Sequence, residues 1–269
     1  MEYILWIALL PVILLLIYIY KKDTHTEPIG LVRSVFFLGC LIIFPVMIIE
    51  LIMDGILPTN GVDLVRLFLN VLIGVALVEE FFKWLVVKKK CYNNPEFDEM
   101  YDAIVYSVAS SLGFAAVENI IYVIAYGFGT GLFRAVTAVP GHAAFGVIMG
   151  YFFGKAKFNE TVNKDDNFYI ILSLLVPTLL HAIYDFLLFT VVQTQLIIVF
   201  VIWVLFVIGL FIVAFININK VAKLDKELFG ENKDKIEAKN GFVKIPKRCP
   251  NCGTPVHSKI CPICGRRHY

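Results

Sequence analysis

The chain has 269 residues, of which 59% are hydrophobic and only 17% charged, against about 25% charged in soluble domains. With a mean hydropathy of +0.77, this excludes a soluble globular protein and predicts an all-α polytopic membrane protein. The net charge of +2 says less than the way charge is shared among the loops.

Seven apolar runs approach the roughly 20 residues that a bilayer requires. They fall at about Tyr3–Tyr20, Leu31–Met53, Leu64–Val87, Ala103–Tyr126, Leu132–Gly154, Phe168–Val192 and Leu196–Ile216. The first follows Met1 and Glu2 with no basic segment before it, which argues against a cleaved signal peptide. Lys21 and Lys22, then Lys88, Lys89 and Lys90, then Lys155, Lys157 and Lys164, and finally the lysine-rich C-terminal segment occupy alternate connections. The opposite connections hold no Lys or Arg, although Arg66 and Arg134 lie just inside the spans that follow. The predicted topology is therefore a cell-membrane protein with its N-terminus outside and its C-terminus cytoplasmic. Cys40 and Cys91 read as isolated thiols.

The polar residues within the runs carry the functional signal. Glu79, Glu80 and Lys83 interrupt the third run, where one ionised side chain costs roughly 2.5–3.5 kcal/mol at helix centre. Glu79 and Lys83 share a helix face at i,i+4, while Glu80 points about 100° away and needs a partner on another helix. The fourth run contains Glu118 and Asn119, with Phe114 one turn before them. The fifth contains His142 between Gly141 and Gly146, small residues that suit close backbone approach. The sixth places His181 and Asp185 on one face at i,i+4, an arrangement that orients an imidazole. These groups can satisfy one another only by converging, and a site of carboxylates and histidines suits water activation, divalent metal binding or proton relay.

Beyond the last run, Val221, Leu224 and Leu228 fall at helical spacing and Gly230 supplies a stop, so a short helix on the inner surface is expected. The charged segment that follows reads as a solvated linker. Cys249, Cys252, Cys261 and Cys264 form two C-x-x-C-G turns separated by eight residues, the spacing of a closed tetrahedral structural Zn²⁺ site. A small zinc ribbon is thus predicted at the cytoplasmic end. The expected organisation is a transmembrane domain over 1–217, an interfacial helix and linker over 218–247, and the ribbon over 248–269.

The order Glu79-Glu80-x-x-Lys83, Phe114-x-x-x-Glu118-Asn119, His142-x-x-x-Gly146 and His181-x-x-x-Asp185 resembles the four motifs of the PrsW intramembrane proteases, related to the CAAX prenyl proteases and bacteriocin-processing membrane proteases. The resemblance implies a glutamate-dependent endopeptidase with no catalytic metal. It assigns Glu79 as general base toward water, Glu118 as its proton-sharing partner, and Lys83 or Glu80 as the groups that position the pair. His181, held by Asp185, and Asn119 become donors to the oxyanion. It also implies a membrane-anchored substrate of the single-pass, anti-sigma-factor type. The same residues leave open a metalloprotease using Glu79, Glu118, His142, His181 and Asp185, an ion transporter, or a receptor that signals through the ribbon. The expected partners are the substrate, the bilayer and a cytoplasmic protein at the ribbon, with nucleic acid not expected.

Overall fold

The computed structural model describes residues 2–59, 63–161, 167–229, 247–248 and 255–256. Its helices are α1 (Glu2–Lys22), α2 (Ile29–Leu41), α3 (Ile43–Ile56), α4 (Leu64–Leu69), α5 (Leu77–Lys90), α6 (Met100–Tyr126), α7 (Phe128–Val136), α8 (Ala138–Thr161), α9 (Asn167–Thr194) and α10 (Ile197–Phe229). A π-helical segment, Asn70–Ala76, joins α4 to α5. A two-residue antiparallel ladder pairs Lys247 with Val256 and Arg248 with Pro255. The four tail cysteines of the predicted ribbon lie outside the described residues.

Each of the seven predicted runs corresponds to a helical segment or a broken pair of segments. Among the described residues, Ile29–Ile56, Met100–Tyr126, Phe128–Asn159, Asn167–Thr194 and Ile197–Glu227 are long and apolar enough to cross a bilayer. Large apolar side chains face outward along them, among them Leu51, Ile124 and Ile197. Side chains of that kind are tolerated where lipid is the solvent. The chain is a multi-pass membrane protein.

Two of the breaks have a covalent cause. Pro45 has no N–H to return to Leu41, and the second run divides at Ile42. Pro140 likewise cannot bond to Val136, and the fifth run divides at Thr137 into α7 and α8. The third run contains the π segment, in which Leu77 N–H reaches Leu72 O, five residues back. Insertions of this kind rotate whatever follows them.

At the centre stands α6, buried at every residue from Met100 to Ala116. Such all-round burial marks a helix enclosed by others. It packs against α8, α2 and α1, and glycines set two of the distances. A Cβ on Gly146 would meet Ser111 Oγ at 2.9 Å, and one on Gly150 would meet Ala103 O and Ile104 Cα at 2.5 Å. Gly146, Gly150 and Gly154 therefore let the α8 backbone lie directly on α6, the small-residue packing used where no hydrophobic effect drives helices together.

The lysine-bearing connections meet at one end of the bundle, as their alternation predicts. His25 contacts Glu99 at 2.7 Å, Lys157 donates to Tyr92 O at 3.2 Å, and Tyr101 donates its hydroxyl to Ile19 O at 3.2 Å. Burial pushes the carboxyls of Asp23 and Glu27, in the turn between α1 and α2, up to about 6 and about 7. The separate surface helix expected from residue 218 is not formed. Instead α10 continues unbroken to Phe229, because Val221 and Ala222 are buried in the main core and Asp225 accepts the Tyr101 N–H at 2.6 Å. α10 thus runs past the boundary expected at 217.

Gly150→Ala should lower stability by about 1–3 kcal/mol, the usual cost of overpacking. Gly209→Ala, where an added methyl group would meet no neighbour within 4 Å, should leave stability unchanged or slightly raised. Reversible unfolding in mixed micelles compares the two directly.

Candidate active site

The site is assembled on α5, immediately after the π segment. Lys83 is fully buried, and its ammonium donates to Glu79 Oε2 at 2.8 Å, one turn back, and to Glu80 Oε1 at 2.8 Å. A third contact joins it to His142 Nδ1 of α8 at 3.1 Å. The Phe114 ring of α6 lies below it, 4.3 Å from Nζ to the centroid, in cation–π range. All three ammonium protons thereby have acceptors, which is what a buried lysine requires.

Because Lys83 Nζ can only donate, His142 Nδ1 accepts. Its Nε2–H then donates to Glu118 Oε2 of α6 at 2.9 Å. Glu80, completely buried, finds the interhelical partner that its position demanded: His181 Nδ1 of α9 at 3.0 Å. The other nitrogen of that ring, Nε2, lies 3.2 Å from Asp185 Oδ2. Each nitrogen of His181 thus faces a carboxylate, the pattern of an imidazolium donating twice. Phe145 stacks on the same ring at 4.8 Å and 18°.

Seven of the eight residues predicted from the sequence therefore join one network, and Asn119 stands apart. Its amide donates to Ala8 O of α1 at 3.1 Å, and its Oδ1 accepts Arg134 Nε at 3.2 Å, so the group is engaged behind the site. Glu118 also differs from expectation, since its partners are His142 and Arg134 rather than Glu79. Arg134 Nη2 lies 2.7 Å from Glu118 Oε2, an ion pair off the hydrogen-bond line. The guanidinium places a positive charge beside the carboxylate that was expected to share a proton with Glu79.

A cavity of about 410 Å³ opens beside the network. It is lined by Glu79, Glu118, His142, His181 and Asp185, but Glu80 and Lys83 do not reach it. Arg134, Tyr184 and Glu50 line it as well. Arg134 and Glu50 were legible as charges inside apolar runs, the same signal that singled out Glu118, and they show that further ionisable groups lie at this depth. Tyr184, whose buried hydroxyl lies beside Thr137, left no such mark. An adjoining cleft shares Met47, Glu50, Val75 and Phe189 with the cavity and continues past Asn70 to Asp54, Thr59 and Gln193. The cleft extends from the residues it shares with the cavity toward the end of the bundle opposite Lys88–Lys90.

A helical membrane protein with an acid–base cluster beside a cavity among its spans is the class that this fold and site define. The model of the PrsW family, described as intramembrane metalloproteases, matches residues 27–214, and the chain belongs to that family as an intramembrane protease. It is 43% identical to Protease PrsW of Oceanobacillus iheyensis over 69% of this chain and 82% of that protein. It is likewise 43% identical to Protease PrsW of Geobacillus kaustophilus, over 66% and 76%, and 41% identical to that of Bacillus subtilis, over 66% and 79%. No solved structure matches.

The family description names a metalloprotease, whereas the motifs by resemblance implied no catalytic metal, so the donor set matters. Glu79, His142 and His181 are buried and bring one potential ligand atom each within 4.8 Å of the others. One carboxylate and two imidazoles is a donor set of catalytic zinc. The outer nitrogen of each ring faces a carboxylate, Glu118 or Asp185, as is usual behind metal-bound histidines. These residues fit a divalent ion. Lys83 lies among the same atoms and contacts two of the three residues.

Lys83→Met should be the most destabilising change in the cluster, by about 3–5 kcal/mol, because it strands buried carboxylates that remain charged. Unfolding in micelles should show a larger loss for Lys83→Met than for the double variant Lys83→Met/Glu80→Gln, which removes one stranded charge.

Proposed function

We propose that the chain hydrolyses a peptide bond of a membrane-anchored protein at this cavity, with Glu79 taking the proton from water. The observation that carries this reading is the division of labour between neighbouring glutamates. Glu79 lines the cavity, while Glu80 is held away from it by Lys83 and His181. Glu79 has one oxygen on Lys83, which keeps the carboxylate oriented and leaves its other oxygen for water. Glu80 then serves to position Lys83 and His181.

In the proposed reaction Glu79 accepts a proton as the water oxygen bonds to the scissile carbonyl carbon. The carbonyl oxygen becomes an oxyanion, and the hydroxyl of Tyr184, which lines the cavity, is placed to donate to it, with the positive charge of His181 beside it. Both donors of His181 already face Glu80 and Asp185, which favours Tyr184 over His181 as the hydrogen-bond donor. Collapse breaks the C–N bond as the proton held by Glu79 passes to the leaving nitrogen, giving an amine and a carboxylic acid that then loses its own proton to water. Arg134, Glu118 and His142 form a relay of contacts that orients Lys83, with Asn119 bracing Arg134.

A metal-dependent reading is favoured by a specific observation as well, the convergent donors of Glu79, His142 and His181. A bound ion would supply Lewis-acid polarisation and a more acidic water. The contacts that Lys83 makes to the same residues support the metal-free reading as the leading one. The resemblance to the family's motifs supports a single-pass substrate, the alternation of loop lysines supports a cytoplasmic C-terminus, and the spacing of Cys249, Cys252, Cys261 and Cys264 supports a zinc-bound ribbon there, available to a cytoplasmic partner.

In lipid, with a panel of single-pass proteins as substrates, Glu79→Gln should reduce cleavage by roughly 10²–10⁴-fold, and Tyr184→Phe by a smaller factor expressed in kcat. Wild-type protein ending at Gly230, which lacks the tail cysteines, should keep its activity under chelation. Loss on chelation with recovery on added Zn²⁺ would establish the metal-dependent reading instead, and cleavage that survives Glu79→Gln would remove Glu79 from its role.

A further inference from the structure

A second concentration of buried acid lies at the lysine-bearing end. Asp102 precedes Glu118 on α6 by roughly 24 Å of helix at 1.5 Å per residue, so the two clusters are separate. Asp23 and Glu27, from the turn between α1 and α2, and Asp102, from the first turn of α6, each bring a carboxylate oxygen within 4.8 Å of the others. All three are more than nine-tenths buried, Asp102 completely.

Each of these side chains spends one oxygen on its immediate surroundings. Asp23 Oδ1 accepts the His25 N–H at 3.2 Å, and Glu27 Oε2 accepts the Tyr106 hydroxyl. Asp102 Oδ2 accepts the N–H groups of Asp98 at 2.9 Å and Glu99 at 2.6 Å, its part of the capping box that starts α6. Those bonds account for one oxygen apiece. Asp23 Oδ2 and Asp102 Oδ1, in contrast, are buried and receive no N–H or hydroxyl donor, and the carboxyls of Glu27 and Asp102 lie within hydrogen-bond reach of each other. Among the described residues no lysine, arginine or histidine side chain lies within ion-pair distance of these three carboxylates, the nearby His25 ring being engaged by Glu99 at 2.7 Å.

A backbone cap needs one carboxylate, and it does not explain why two more converge on the oxygen that the cap leaves over. Such a space is neutralised by protons or by a cation. The geometry points to a binding site for one hard divalent cation of the magnesium and calcium class, held by Asp23, Glu27 and Asp102 and separate from the proteolytic cavity. The donors are all oxygen, with no thiolate or imidazole among them, which suits hard ions over zinc or copper. Three carboxylates leave the remaining coordination positions to water, which ions of this class retain. Occupancy fastens the α1–α2 turn to the start of the central helix.

The test uses the full-length protein in micelles, with Mn²⁺ followed by its spin resonance as the probe and Mg²⁺ and Ca²⁺ as competitors. One Mn²⁺ per chain should bind saturably, be displaced by the competitors and persist in Glu79→Gln. Glu27→Gln and Asp23→Asn should weaken it by about tenfold or more, at least what losing an outer-shell partner costs. The melting temperature of the wild type should climb with free cation, while the two variants should need about tenfold or more cation for the same rise; their cation-free melting curves report whether each is folded. Binding lost in Glu79→Gln but kept in Glu27→Gln would assign the ion to the proteolytic cluster and overturn the proposal. A wild type that binds no Mn²⁺ saturably, or whose melting is indifferent to all three cations, would overturn it too, leaving shared protons as the means of neutralisation.

Discussion

Removing a charged side chain from water costs several kcal/mol even after the surroundings relax, and only close partners return it. Lys83 is where this constraint acts most severely, because it is buried completely within a membrane protein. Its three contacts come from two helices, α5 and α8, and a further step ties Glu80 to α9 and His142 to α6. The packing of four helices around one cavity is therefore dictated largely by the need to satisfy a single ammonium. Glu80 and Lys83 belong to the scaffold by this argument. Glu79 is the member of the trio that the scaffold presents to the open space.

The helices that carry these groups are interrupted near them. The π segment immediately precedes Glu79, and the break at Thr137 falls between Arg134 and His142. A continuous helix across Thr137 would hold Arg134 and His142 eight residues apart, more than two turns and about 12 Å from each other along the axis. With the break, both reach Oε2 of Glu118. Exposed backbone at such a break is tolerable because Thr137 returns its hydroxyl to Phe133 O at 2.7 Å and the cavity brings polar groups to the same level.

Behind the site, α6 works as the common wall. Its glycine-lined contact with α8 sets the spacing between Glu118 and His142, since any larger side chain at Gly146 or Gly150 would push the two helices apart. At its lower end the same helix is held by Asp102 and by the bond from Tyr101 to Asp225. Catalytic geometry in such a protein is inherited from packing that begins far along the chain, because with lipid outside there is no hydrophobic collapse to draw the helices together.

The sequence by itself determined the membrane class, the alternation of the loops and seven of the residues in the network. Charges in apolar runs are costly enough to be visible without coordinates, and the i,i+4 spacing of Glu79 with Lys83 and of His181 with Asp185 fixes a shared face. It also required that Glu80 find a partner on another helix, though not which one. Tertiary structure alone decided that the partner is His181, that Glu118 answers to Arg134, and that Asn119 faces α1. It alone also separated Glu79 from Glu80 and brought the Tyr184 hydroxyl to the cavity. Helical periodicity specifies directions around one axis, whereas those pairings depend on where the π segment and Pro140 redirect the axes and on how closely the glycines let them approach. Local spacing carries no record of either.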